Sequence, residues 1–133
     1  MQFIDSHTHL YADEFKEDID FVIKRAAAQG ISKFFLPNID STSIEGLTQL
    51  CLKYPQNCFP MMGLHPCSVN ESFKKELDVI QTEFSKDKVY AIGETGIDLY
   101  WDKTFIEEQK EAFRIQIKWS LELNLPVVIH CRQ

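Results

Sequence analysis

No apolar run in these 133 residues approaches the ~20 that a membrane-spanning helix needs, so no membrane partner is expected. Paired CxxC cysteines are missing too. Cys51, Cys58, Cys67 and Cys131 stand at spacings that fit no common zinc motif. The start, MQFIDSHTHL, lacks the basic stretch followed by an apolar one that marks a secretory signal. Reduced thiols in a cytoplasmic protein are therefore expected. Positive charge is in deficit: 14 Lys and Arg against 20 Asp and Glu give a net charge of −6. Non-specific nucleic-acid binders usually carry the opposite sign. The deficit still leaves a nucleic-acid substrate open. Free charges ~10 Å apart in water interact by only about 0.4 kcal/mol, and salt screens them beyond ~8 Å. Linkers, low-complexity tracts and repeats are absent as well.

What the chain does contain is an alternating rhythm. With 44% apolar and 26% charged residues it has a globular composition. Short apolar runs at 2–4, 32–36, 59–62, 89–92 and 127–129 predict five strands. Four helical stretches lie between them. The first carries Phe15, Ile19, Val22, Ile23, Ala26 and Ala27 on one face and stops at Gly30. The second opens with Thr42 and Glu45 in capping-box spacing, turns Ile44, Leu47 and Cys51 inward, and is followed by Pro55. The third aligns Phe73, Leu77, Ile80 and Phe84. The fourth opens with Thr104 and Glu107 in the same spacing, aligns Ile106, Phe113, Ile117 and Leu121, and ends near Asn124.

Each strand-to-strand step is about 30 residues, the length of a βαβ unit. Strands apolar on both faces suit a parallel sheet covered by helices. A doubly wound sheet usually places a glycine-rich phosphate loop after its first strand. Here that place reads DSHTHLYADEF, without glycine. The expected fold is thus α/β, a TIM-type (β/α) barrel. A full barrel takes eight such units and about 250 residues. The first five strands and four helices are therefore read as one incomplete barrel domain over residues 1–133.

The scarce histidines fall at one edge of that fold. His7 and His9 follow the first strand, His65 the third, and His130 ends the fifth; Glu94 follows the fourth. The carboxyl ends of strands are where α/β folds build function. In extended chain, residues two apart point to the same side. His7 and His9 can thus reach one ion, and Asp5, two residues earlier, could orient a ligand. An isolated HxH is ordinarily a polar loop. Glu94 and His130 at matching strand ends change that reading, because imidazole with carboxylate suits zinc or other first-row divalent ions. His65 either contacts substrate or closes the turn before Pro66. Asp98 either supports a ligand or is a plain turn residue. Arg132 either binds an anionic substrate or is solvated. Tyr100 and Trp101 either line a substrate groove or cover the rim.

The motifs FIDSHTHL, GLHP, GETGID and LPVVIHCR, in this order and spacing, resemble the TatD-like DNase family of metal-dependent hydrolases over the whole chain. The first motif is also shared with amidohydrolases and histidinol-phosphatase-like barrels, whereas GETGID joined to PVVIHCR is more specific. The resemblance implies a two-metal site holding divalent ions (Zn, Mn or Mg). By it, His7 and His9 bind one ion, Glu94 bridges both, and His130 binds the other. His65 and Arg132 would lie near a substrate phosphate, with Asp5 and Asp98 in support. It also implies hydrolysis of DNA phosphodiesters. Alternatives are a small ester, amide or phosphoester as substrate, or an inactive fragment. No obligate protein partner is inferred. Family members run roughly twice this length, and their second half adds a histidine and a water-activating aspartate. No histidine follows His130 here and no aspartate follows Asp102. The 133 residues alone are expected to be inactive.

Overall fold

The computed structural model describes residues 1–133 and contains five strands and four α-helices in strict alternation. They are β1 (Phe3–Asp5), α1 (Ile19–Ala28), β2 (Ile31–Pro37), α2 (Ile44–Lys53), β3 (Cys58–Met61), α3 (Phe73–Glu83), β4 (Ile92–Asp98), α4 (Ile106–Leu123) and β5 (Val127–Arg132). Single 3-10 turns at Asp13–Phe15, Ser41–Ser43 and Pro66–Ser68 follow the tips of the first three strands. All pairings are parallel: β1 with β2, β2 with β3, and β4 with β5. A bridge between Met62 and Ile92, also parallel, links the two sheets. Strand order therefore follows chain order with no reversal, unlike a doubly wound sheet. No helix is long and apolar enough to cross a membrane.

The core lies between this wall and the helices. Phe34, Leu36, Leu47, Leu64, Phe73, Leu77, Ile80, Ile92 and Trp119 are all buried there. Each such side chain contributes about 1.5–3 kcal/mol relative to exposure. At the two edges the pattern differs. Phe3 and Ile4 on β1 and Ile129 on β5 remain at least half exposed.

The sequence rhythm and the structure differ in four places. The fourth strand was expected at 89–92 but runs Ile92–Asp98, so Glu94 lies within β4 rather than after it. Its two glycines hide it from an apolar-run search, and they are needed because β5 packs backbone to backbone against it. At Gly96 (φ +143°), an added Cβ would sit 1.9 Å from the His130 carbonyl oxygen. The cap ahead of α2 uses Asp40 and Ser43 rather than Thr42 and Glu45. Thr104 does not cap α4; its hydroxyl and amide both donate to Asp102. Finally, α4 turns Gln109, Ala112, Gln116 and Trp119 inward and leaves Leu121 exposed. Two buried glutamines in that stripe satisfy strand-tip backbone, a role that periodicity of apolar residues cannot report.

Candidate metal centre

Glu94 is the pivot. Its backbone N–H donates to the carbonyl of Asn38 at the tip of β2 (3.2 Å). Asn38, fully buried, is held by its own amide donating to the carbonyls of Asp40 and Gly63. The Glu94 carboxylate then faces two groups, one per oxygen. Oε2 lies 3.0 Å from His7 Nε2 and 3.4 Å from His9 Nε2. Oε1 lies 3.1 Å from His130 Nδ1 and 3.8 Å from His65 Nε2. Burial acts to raise the Glu94 pKa. When the facing imidazole nitrogens carry protons, the His9 hydrogen bond, the charges of His7 and His65 and the His130 hydrogen bond outweigh it and lower it to about 2.

The far side of each imidazole decides which nitrogen carries the proton. Tyr11 donates its hydroxyl proton to the Pro37 carbonyl (2.5 Å). The same oxygen lies 2.9 Å from His9 Nδ1, so that nitrogen must donate, and the lone pair of neutral His9 sits on Nε2, facing Glu94. Burial pushes the Tyr11 pKa up, which keeps this hydroxyl protonated. Asp98 Oδ2 accepts from His130 Nε2 at 2.7 Å, which leaves the lone pair of neutral His130 on Nδ1, again facing Glu94. Asp98 is 2% exposed. Burial acts to raise its pKa, but hydrogen bonds from His130 and from the backbone of Tyr100 and Trp101 lower it to about 2.

His65 is oriented the other way. Its Nδ1 accepts the Cys67 backbone N–H (3.1 Å), so neutral His65 carries its proton on Nε2. Burial lowers the His65 pKa, partly opposed by Glu94, and favours that neutral form. The Nε2–H points at His130 Nδ1, 3.2 Å away. His65 is therefore built as a donor, whereas His9 and His130 are built as acceptors.

This donor set fits a divalent cation. Lone pairs on His9 and His130 aimed at carboxylate oxygens 3.4 and 3.1 Å away repel unless a cation or a proton lies between them. A tetrahedral ion with bonds of ~2.1 Å separates its donors by about 3.4 Å. Two sets of donor atoms lie within 4.8 Å of one another: His7, His9 and Glu94, and His65, Glu94 and His130. Nitrogen and oxygen donors of this kind suit zinc and its first-row neighbours.

The remaining candidates lie around this cluster. Asp5 accepts the His7 backbone N–H (3.1 Å) and so fixes the position of His7 rather than the proton on its ring. Arg132 meets no carboxylate; its guanidinium lies over the Tyr100 ring at 3.9 Å. Sequence reasoning missed Tyr11, Asn38 and Gln116. Gln116 accepts from the Leu64 amide and donates to the Leu64 carbonyl, which places His65. For Tyr11 a signal existed: 7, 9 and 11 continue one two-residue spacing.

The same motifs are found in known proteins. The family model described as TatD related DNase matches residues 4–133. The metal-dependent hydrolase YabD of Bacillus subtilis strain 168, itself uncharacterized, is 34% identical over 96% of this chain and 50% of its own length. The protein named 3'-5' ssDNA/RNA exonuclease TatD in Erwinia tasmaniensis is 30% identical over 97% of this chain and 50% of its own. The crystal structure of YjjV, a TatD homolog from Escherichia coli K12, superposes with a TM-score of 0.89 at 29% identity, over 98% of this chain and 51% of that one. The chain thus spans about half the length of the relatives it matches. With a family model along nearly its whole length and the histidine and glutamate motifs gathered at one edge, the chain belongs to the TatD-related DNase family.

Proposed function

We propose that these residues form half of a metal-dependent phosphodiesterase that hydrolyses DNA. The observation that carries the reading is the two-sided environment of Glu94: one oxygen faces His7 and His9, the other His130 and His65. A carboxylate so placed would bridge two ions, with His7 and His9 on one and His130 on the other. Divalent ions there supply the acidity that makes water nucleophilic near neutral pH and offset charge on a phosphate. His65 Nε2–H and the Arg132 guanidinium are positioned as donors to phosphate oxygens. Tyr11 and Asp98 hold His9 and His130 with their lone pairs inward, and Asp5 anchors the backbone of His7.

The same reading makes residues 1–133 one incomplete (β/α)-barrel domain. Consecutive parallel strands, open edges at β1 and β5, and relatives of twice the length support it. Turnover is proposed for the protein in which the rest of the barrel is present; for these 133 residues we expect metal binding without appreciable cleavage. The test uses the protein with the rest of the barrel present and combines metal content with cleavage of labelled DNA. Both should fall at least about tenfold in Glu94→Ala. Unchanged DNA cleavage after complete metal removal would sink the proposal.

A further inference from the structure

We propose that Asp40 is a positioning residue for His65: through Ser68, its carboxylate locks the turn that presents the His65 Nε2–H to a substrate. The inference goes beyond the phosphodiesterase reading and rests on it only for what His65 would touch.

His65 opens the 3-10 turn Pro66–Ser68, and its carbonyl closes that turn by accepting the Ser68 N–H (3.0 Å). Both ends of the turn are held from the neighbouring loop, the one that follows β2. At the start, the His65 N–H donates to the Ile39 carbonyl (2.8 Å). At the end, the Ser68 hydroxyl donates to Asp40 Oδ2 (2.8 Å). Ile39 and Asp40 are adjacent in the chain. One short stretch therefore grips the turn twice, on either side of the Cys67 N–H that fixes the His65 imidazole.

That stretch is itself anchored. Ser43 Oγ accepts the N–H groups of Ile39 (3.1 Å) and Asp40 (3.3 Å). The other Asp40 oxygen accepts the amide (3.0 Å) and the hydroxyl (2.6 Å) of Thr42. Ser41 donates its amide (2.9 Å) and hydroxyl (3.0 Å) to the Glu76 carboxylate on α3, the helix that follows the turn. The contacts form a closed circuit: Asp40 to Ser68, along α3 to Glu76, and back through Ser41 to Asp40. A group that must meet a reacting charge has to be held to within about 0.5 Å, and a circuit of this kind removes the slack.

The circuit is specific to one histidine. The Asp40 carboxylate bonds to Thr42 and Ser68 and to no imidazole, so it reaches the site only through the turn. His9 and His130 are held separately, by Tyr11 and Asp98. Loss of Asp40 should therefore free His65 and leave the other two in place.

The test uses the zinc-loaded protein with the rest of the barrel present, labelled with 15N-histidine. Ring nitrogen spectra should show wild-type His65 with its proton on Nε2. Asp40→Ala should give a mixture of His65 tautomers, with zinc content and the His9 and His130 signals unchanged. Ser68→Ala removes the same bond while keeping Asp40 on Thr42, and should give the same pattern. Asp40→Asn should retain the wild-type pattern, because its amide can donate to the Ser68 hydroxyl. In DNA cleavage, Asp40→Ala should lower kcat/KM about 10- to 100-fold, as for a lost hydrogen bond to a charged group, and should lower it no further in a His65→Ala background. The inference is overturned if His65 keeps its Nε2 proton in Asp40→Ala, if the His9 and His130 signals change with it, or if Asp40→Ala costs as much activity without His65 as with it. If zinc-loaded wild type cleaves no DNA, the phosphodiesterase reading falls, and the ring spectra still decide whether Asp40 positions His65.

Discussion

His130 Nε2 lies 2.7 Å from Asp98 Oδ2, while the opposite nitrogen of the same ring lies 3.1 Å from Glu94 Oε1. The imidazole is thus clamped between two carboxylates with different tasks. Asp98 accepts the hydrogen bond from the ring N–H, and Glu94 stands on the lone-pair side.

Asp98→Asn should break that division. An amide can donate to Nε2, which would send the ring proton to Nδ1 and block the lone pair. Metal affinity should fall about 10- to 100-fold with the fold retained. Competition against a chromophoric chelator measures this, and an unchanged affinity would refute the role assigned to Asp98.

Gln116 should matter to stability more than its distance from the chemistry suggests. It is fully buried, and its side chain satisfies both the amide and the carbonyl of Leu64. Gln116→Leu strands both groups, at a cost of about 1–3 kcal/mol for each. Urea unfolding reads the loss. A midpoint equal to wild type would show that the two backbone groups find other partners.

Alkaline pH should weaken the fold through two thiols. Burial raises Cys58 from 9.0 to about 11 and, together with its neighbours Cys58 and Asp87, Cys51 to about 12. Above pH 9 the unfolded chain releases thiol protons that the folded chain retains, so stability falls as pH rises toward 11. The urea midpoint should decline over that window, and less steeply in the Cys51→Ala, Cys58→Ala double variant. Equal slopes in both proteins would contradict the assignment.

The open edges should drive association of the isolated chain. Ile4 on β1 is 58% exposed and Ile129 on β5 is 59% exposed. Unpaired parallel strands with apolar side chains invite pairing with another copy. Sedimentation equilibrium should show oligomers that Ile4→Lys with Ile129→Lys shifts toward monomer. A monodisperse wild-type monomer would rule this out.

Much of this architecture was legible in the residues, for identifiable reasons. Helix faces such as Phe73, Leu77 and Ile80 repeat with the helical period and are buried together. His7, His9 and His130 were readable because histidine is scarce here and falls at strand ends, and Glu94 because it follows the fourth apolar run at a matching place; the structure brings all four together. What escaped depends on contacts far apart in sequence. The position of β4 was missed because Gly93 and Gly96 interrupt its apolar character where the β5 backbone closes in. Asn38 and Gln116 resemble ordinary polar residues until the strand tips they support are in place. The direction of the His65 proton depends on the Cys67 amide, which no residue type reveals.

Asp98 also limits who can act as a base. One of its oxygens holds His130, the other holds the amides of Tyr100 and Trp101. With both oxygens engaged, it cannot turn toward a water molecule without releasing either the histidine or the loop. Asp98 is a fixed brace that ties the ring of His130 to the loop of Tyr100 and Trp101.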